Sequence, residues 1–285
     1  MAELIPTPIT EIKKNDSPKT VLLQGEPGSG KSQMGALTAI NKPVHIVDID
    51  RKVQSAAWAQ EAIKKQELTY WELKEPIDDS NIKARIYSLV TNAKPNVQPM
   101  GWTKLADYIY EMPKAEDAKR AGTWMFDSLT IAGEHLKTHI MFLAGKSKYE
   151  WDQWNAYKIG WLGTLSVLRD LAKENGKDLI LTVHERQGET PGEKTRGVEY
   201  TVDAKGNRTR NILGVQDMKV WASIDGAAGQ LIGAEMDEYY HLFVEMVGDK
   251  PVWKCRVRPD GLRNLRTTFK VSQDEYEPDF GKIWK

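Results

Sequence analysis

Little in this sequence points outside the cell or into a membrane. A single cysteine, Cys255, stands among 285 residues, so no internal disulfide can form and a reducing compartment suits the chain. Net charge is lacking too, since 40 Lys and Arg are matched by 40 Asp and Glu. No global field draws such a chain to nucleic acid, and binding of that kind must come from a local patch. No apolar run approaches the length of a membrane span. The stretch from Met1 to Lys19 carries Pro6, Pro8 and Pro18 and lacks the apolar core of a signal peptide. Repeats and low-complexity segments are missing as well. These absences predict a soluble, cytoplasmic protein that makes no use of a membrane, and its length is enough for one substantial core.

What is present is a phosphate-binding loop in the right setting. Thr20-Val21-Leu22-Leu23-Gln24 reads as a buried strand. A glycine-rich turn follows, Gly25-Glu26-Pro27-Gly28-Ser29-Gly30-Lys31-Ser32, and Gln33 to Ala39 suits a helix. This is the pattern G-x-x-x-x-G-K-[ST] between a strand and a helix. Glycines let successive backbone N–H groups face phosphate oxygens, and residues Gly25 and Pro27 to Gln33 form the expected cradle. The helix starting at Lys31 adds its positive dipole end. Lys31 can reach the β- and γ-phosphates of ATP, and the Ser32 hydroxyl can take a position on Mg²⁺. A chance glycine turn is the bland alternative, which the flanking pattern disfavours.

The rest of the chain alternates strand and helix. Residues 44–47, 68–73, 123–127 and 178–183 read as strands. Helices are expected over 53–66, 103–111, 129–144 and 150–175, with a short one at 80–92 and a charged connection over 114–122. That alternation predicts an α/β fold with a mostly parallel central sheet and helices on both faces. Tyr239–Val247 and Val252–Val257, joined through Gly248 to Pro251, read as an antiparallel hairpin, with a further strand near 267–271. The expected divisions are an extended leader (1–18), the P-loop domain (19–271, including a mobile basic loop at 186–211) and a surface-packed tail (272–285).

Acids at strand ends supply the remaining chemistry. Asp127 closes an apolar strand as a Walker B acid would, placing it with Ser32 at the metal. Ser128 can hold metal waters or cap the next helix. Asp50 is the first choice for activating water, with Asp48 and Glu185 as further candidates. Capping of the following helix is the plain alternative for Asp48 and Asp50. His184 either senses the γ-phosphate or is a satisfied core histidine.

Taken in order, the P-loop, Val47-Asp48-Ile49-Asp50, Phe126-Asp127-Ser128-Leu129-Thr130 and Thr182-Val183-His184-Glu185 resemble phage RecA-like ATPases. These are the AAA-domain nucleotide-binding proteins encoded beside phage recombination and single-strand annealing genes. Gly229-Gln230-Leu231 and Asp237-Glu238-Tyr239-Tyr240 look like a late segment of the same family. The resemblance runs from about residue 19 to 260 and implies ATP hydrolysis with Mg²⁺, single-stranded DNA and self-assembly into a ring or filament. It also implies a phage single-strand-binding or recombination partner and a host-cell cytoplasm. In RecA-like proteins the position of Asp50 is usually a glutamate, so a shorter aspartate implies slow turnover.

Arg186, Lys194, Arg196, Lys205, Arg208 and Arg210 lie among glycines after Glu185. A cationic loop there can follow a phosphate backbone, and the resemblance places the DNA-contacting loop at this point. A solvated hairpin turning at 203–207 is the equal alternative. Lys254, Arg256, Arg258, Arg263 and Arg266 form a second basic group. It can be a solvated strand face, which is slightly favoured, or can supply a finger in trans. His135 and His139 lack the further ligands zinc requires. Trp151, Trp154 and Trp161 are read as packing residues. A P-loop kinase closing residues 186–211 over its acceptor, a nucleotide-gated assembly factor not acting on DNA, and a barely hydrolysing ATP switch are the competing functions.

Overall fold

Apolar runs of five or six residues, too short for helices, become the central strands. A computed structural model describes residues 17–74, 98–146, 148–189, 199–202, 208–211, 218–225, 228–260 and 263–284. In chain order the first half holds β1 (Thr20–Gly25), α1 (Lys31–Leu37), β2 (Val44–Asp48), α2 (Ala57–Lys64) and β3 (Leu68–Glu72). Then come α3 (Gly101–Glu111), α4 (Glu116–Arg120), β4 (Thr123–Asp127), α5 (Leu129–Ala144) and α6 (Trp151–Glu174). The second half holds β5 (Asp178–Glu189), β6 (Glu199–Val202), β7 (Arg208–Asn211), β8 (Met218–Ala222) and α7 (Ala228–Leu231). It ends with β9 (Glu238–Val247), β10 (Lys250–Arg256), β11 (Glu275–Tyr276) and α8 (Phe280–Ile283).

Eight strands lie in the order β11-β10-β9-β1-β5-β4-β2-β3, and β8 pairs with the far half of β5. From β9 to β3 every pairing is parallel, while β10 and β11 run antiparallel at one edge. The expected α/β class, with its mostly parallel sheet and C-terminal hairpin, is the one observed. Strand alternation sends side chains to two cores. Leu22, Val47, Trp124, Phe126 and Leu181 face α3, α5 and α6, where Leu105, Leu136 and Trp161 meet them. Val21, Leu23, Ile46, Met125 and Ile180 face α1, α2 and the C-terminal tail through Met34, Ala59 and Phe280. No helix among the described residues is long and apolar enough to cross a membrane.

Several details differ from the sequence expectations. The 53–66 helix divides into a 3₁₀ turn, Val53–Ser55, and α2, because Asp48 ties down the backbone N–H groups of Lys52 and Val53. The charged connection at 114–122 contains α4, which buries Ala118. No strand forms at 267–271. The carboxylate of Glu238 accepts both the N–H and the hydroxyl of Thr268, and the edge partner of β10 is β11 instead. The tail does not merely lie on the surface, since Phe280 and Ile283 are buried in the second core. Trp161 is core, whereas Trp151 is 84% exposed. The helix expected at 80–92 and nearly all of the leader lie outside the described residues.

Candidate nucleotide-binding site

The P-loop leaves β1 at the C-terminal end of the parallel sheet, where such folds open a crevice. Gly28 and Gly30 sit at φ 82° and 88°, a region closed to most side chains. Gly25 must be glycine for another reason: a Cβ there would lie 2.1 Å from the Leu242 carbonyl of β9. No side chain caps the first turn of α1 and no acid stands in it, so its N-terminal N–H groups carry no side-chain competitor for an anion. Pro27 and Gln33 are exposed and Ser29 is buried.

Lys31 folds back beneath the loop and is 6% exposed. Its Nζ donates to the carbonyls of Gly25 (2.9 Å) and Glu26 (2.8 Å) and to Ser29 Oγ (3.4 Å). Burial lowers its pKa to about 8, against the opposing pull of Asp127, Glu185 and Asp50. The ends of β2 and β4 and the middle of β5 bring their acids toward it. β5 stands between β1 and β4, and Asp127 at the end of β4 accepts hydrogen bonds from the hydroxyls of Thr182 and Ser32. Burial raises the pKa of Asp127, with those two hydroxyls opposing it. A buried carboxylate and a serine hydroxyl side by side are the hard oxygen donors that suit Mg²⁺.

Asp48 and Asp50 divide their roles. Asp48 is fully buried, holds the Lys52 and Val53 N–H groups at 3.2 and 2.9 Å, and is a structural clasp. Burial raises its pKa despite those bonds. Asp50 turns the other way: its Oδ1 accepts from Ser128 N (3.2 Å) and Ser128 Oγ (2.8 Å), and Lys52 Nζ lies 3.2 Å from Oδ2. Ser128 is thus bound to Asp50 just past the end of β4, while its carbonyl accepts from Ala132 in the first turn of α5.

His184 is half-buried, its backbone N–H bonded to Thr130 Oγ1 at 2.9 Å. Its pKa is lowered by burial first and by the Lys31 charge second. Glu185 points toward β9 instead, its Oε2 2.6 Å from His241 Nε2. Burial would raise the pKa of Glu185, but the His241 hydrogen bond and the charges of His241, Arg263 and Lys31 turn the shift downward. The pair lines a cavity of about 340 Å³ with Glu26, Ser29, Phe243 and Arg263.

The basic groups are less free than their sequence implies. Arg186 continues β5 and pairs with Asp225 at 3.1 Å. β6 and β7 pair antiparallel, so this part of 186–211 is the hairpin alternative, with Arg208 and Arg210 two positions apart on β7. Lys194, Arg196 and Lys205 lie outside the described residues. In the C-terminal group, Lys254 and Arg256 both pair with Glu275, Arg258 with Asp274 and Arg263 with Asp260. Arg266 donates to the Ala234 carbonyl.

Three residues had no assigned role in the sequence reading. Thr182 is the one hydroxyl in an apolar strand, a usable signal. His241 gave none, because its contact with Glu185 spans 56 positions. Trp253 lies on β10, where its Nε1 donates to the Gly28 carbonyl at 3.3 Å.

Loop, sheet and strand-end acids define the class: an α/β P-loop protein. No family model and no curated protein matches the chain. Among solved structures it is similar to the flagellar accessory protein FlaH from Methanocaldococcus jannaschii. The identity is 10% and the TM-score 0.41, over 91% of this chain and 84% of that one. It is also similar to a KaiC-like protein from the hyperthermophilic archaeon Pyrococcus horikoshii OT3. There the identity is 14% and the TM-score 0.36, over 89% and 83% of the two chains.

Proposed function

We propose that the protein is a RecA-like, Mg²⁺-dependent ATPase that acts on single-stranded DNA in phage recombination or strand annealing. The carrying observation is the convergence of Lys31, the Ser32–Asp127 pair and the Ser128-oriented Asp50 at one end of the parallel sheet. In this reading Lys31 exchanges its loop carbonyls for phosphate oxygens, and Ser32 and Asp127 hold the metal. Bound Mg²⁺ supplies charge neutralisation between the phosphates. Asp50, fixed through Oδ1 by Ser128, orients or deprotonates water through Oδ2 once that oxygen exchanges the exposed Lys52 ammonium for the water. His184 reads the γ-phosphate from the middle of β5, where the strand leaves β1. Glu185, held by His241, serves as a positioning group on the far side of the loop.

The two acids of the β2 end should separate cleanly. Asp50→Asn is expected to slow ATP hydrolysis about a hundredfold, the low end for a lost general base. Asp48→Ala is expected to leave turnover within a factor of two or so while costing about 2 kcal/mol of stability, as bonds to a buried carboxylate do. Steady-state ADP production and urea denaturation read the two effects. Wild-type turnover in Asp50→Asn would remove it as the base.

The DNA reading rests on the basic residues between Arg186 and Arg210, rooted in the strand that also carries His184. A homo-oligomeric ring or filament, a phage single-strand-binding or recombination partner, and the host cytoplasm belong to the same proposal. Reversing Arg208 and Arg210 together should weaken single-stranded DNA binding and flatten its salt dependence by about 1.4 in slope, roughly 0.7 per phosphate contact on a single strand. ATP binding should be spared. Wild-type ADP production that does not change with single-stranded DNA, together with no DNA binding in an ATP analogue, would sink the DNA reading.

A further inference from the structure

A second cleft, of about 380 Å³, adjoins the P-loop on the flank of α1. Its walls are Gly30, Gln33, Met34, Leu37 and Thr38 from the loop and α1, and Trp253 and Pro278 from the C-terminal strands and tail. The first four stand at i, i+3, i+4 and i+7, one stripe of a helix, so the cleft runs from the phosphate loop along α1. Every residue lining it is uncharged. No charged side chain stands there to pair with a phosphate or a cation, whereas a flat, neutral ring bearing a few polar edges fits such walls.

Trp253 gives the cleft its character. It is 45% exposed, unlike the fully buried Trp124 and Trp161. Its indole is nonetheless held in place: Nε1 donates to the Gly28 carbonyl, and Cδ1 lies 3.4 Å from where a Cβ on Gly30 would be. A residue of β10 therefore rests on the P-loop itself, presenting an aromatic wall that is already ordered. The Gln33 side chain is exposed beside it and offers both a donor and an acceptor.

We propose that this cleft takes the base and ribose of the nucleoside triphosphate, with the base stacked on Trp253. The assignment rests on the P-loop being the triphosphate site. The phosphates end at Lys31 and Ser32, and the cleft begins at Gly30, so one ligand spans both. Ligand pockets are characteristically of this kind, mostly apolar with a few convergent polar groups.

The test uses calorimetric titration of the full chain with Mg·ATP and, separately, with inorganic tripolyphosphate and Mg²⁺. Wild type is expected to hold ATP at least about tenfold tighter than tripolyphosphate, the order of one base stacked on an aromatic ring. Trp253→Ala should lose about that factor for ATP and none for tripolyphosphate, and Trp253→Phe should recover most of it. Equal affinities of wild type for the two ligands overturn the assignment without any variant. So does ATP binding in Trp253→Ala at the wild-type level, or a parallel loss for both ligands. Tripolyphosphate binding alongside any of these leaves the phosphate site standing and removes the base cleft. A wild-type protein that binds neither ligand overturns the P-loop reading, and the cleft with it.

Discussion

Lys31→Ala is expected to reduce ATP hydrolysis by at least about a hundredfold, the largest functional effect of any single substitution considered. The ammonium is buried and held by two backbone carbonyls of its own loop, so it is already positioned where phosphate oxygens would come. Its pKa, lowered to about 8 by burial, still leaves it mostly charged at neutral pH. Hydrogen bonds to a charged group are worth about 1.5–3 kcal/mol each, and two of them to phosphate reach roughly a hundredfold or more. Stability should move little, because alanine also removes the desolvation cost of a buried charge. An ADP-release assay beside thermal denaturation separates the two: lost activity with an unchanged melting temperature is the expected pair. Activity near the wild-type level would show that Lys31 does not touch the reacting phosphates.

Trp161→Ala is expected to be the most destabilising change, costing about 3–5 kcal/mol as large aromatic-to-alanine substitutions in cores do. Trp161 is 1% exposed in the middle of α6. Its ring meets Trp102 of α3 edge-on at 5.9 Å, and a Cβ on Gly133 of α5 would come within 3.5 Å of it. One side chain therefore joins three helices on one face of the sheet. α1 packs on the opposite face through Met34, so protein that remains folded should bind nucleotide normally. The urea midpoint reports the loss, and a shift worth less than about 1 kcal/mol would mean that the helices repack around the gap.

The parts of the molecule nearest the P-loop were the most readable. Central parallel strands are buried on both faces and so appear as unbroken apolar runs, which is how β1, β2, β4 and the first half of β5 stood out. Their terminal residues, Asp48, Asp127 and His184, were visible as polar stops. What separates Asp48 from Asp50 was not visible, since it depends on which way each carboxylate turns: one to Val53, the other to Ser128. The less legible elements are those fixed by partners distant in sequence. β8 forms because β5 runs on past His184 to offer an edge. α4 has one buried residue and little periodicity to betray it. Phe280 looked like an aromatic among acids, yet it packs beneath Tyr240 and Trp284. The Glu185–His241 pair needs β9 to lie parallel beside β1, and no local pattern states that.

The P-loop as a nucleotide site is the claim on which the rest depends. Equilibrium titration of the wild-type chain with ATP, in the presence and absence of Mg²⁺, tests it most directly. Saturable binding at one site per chain, tighter with Mg²⁺ and competed by ADP, is the predicted result. The absence of saturable binding under both conditions would contradict it.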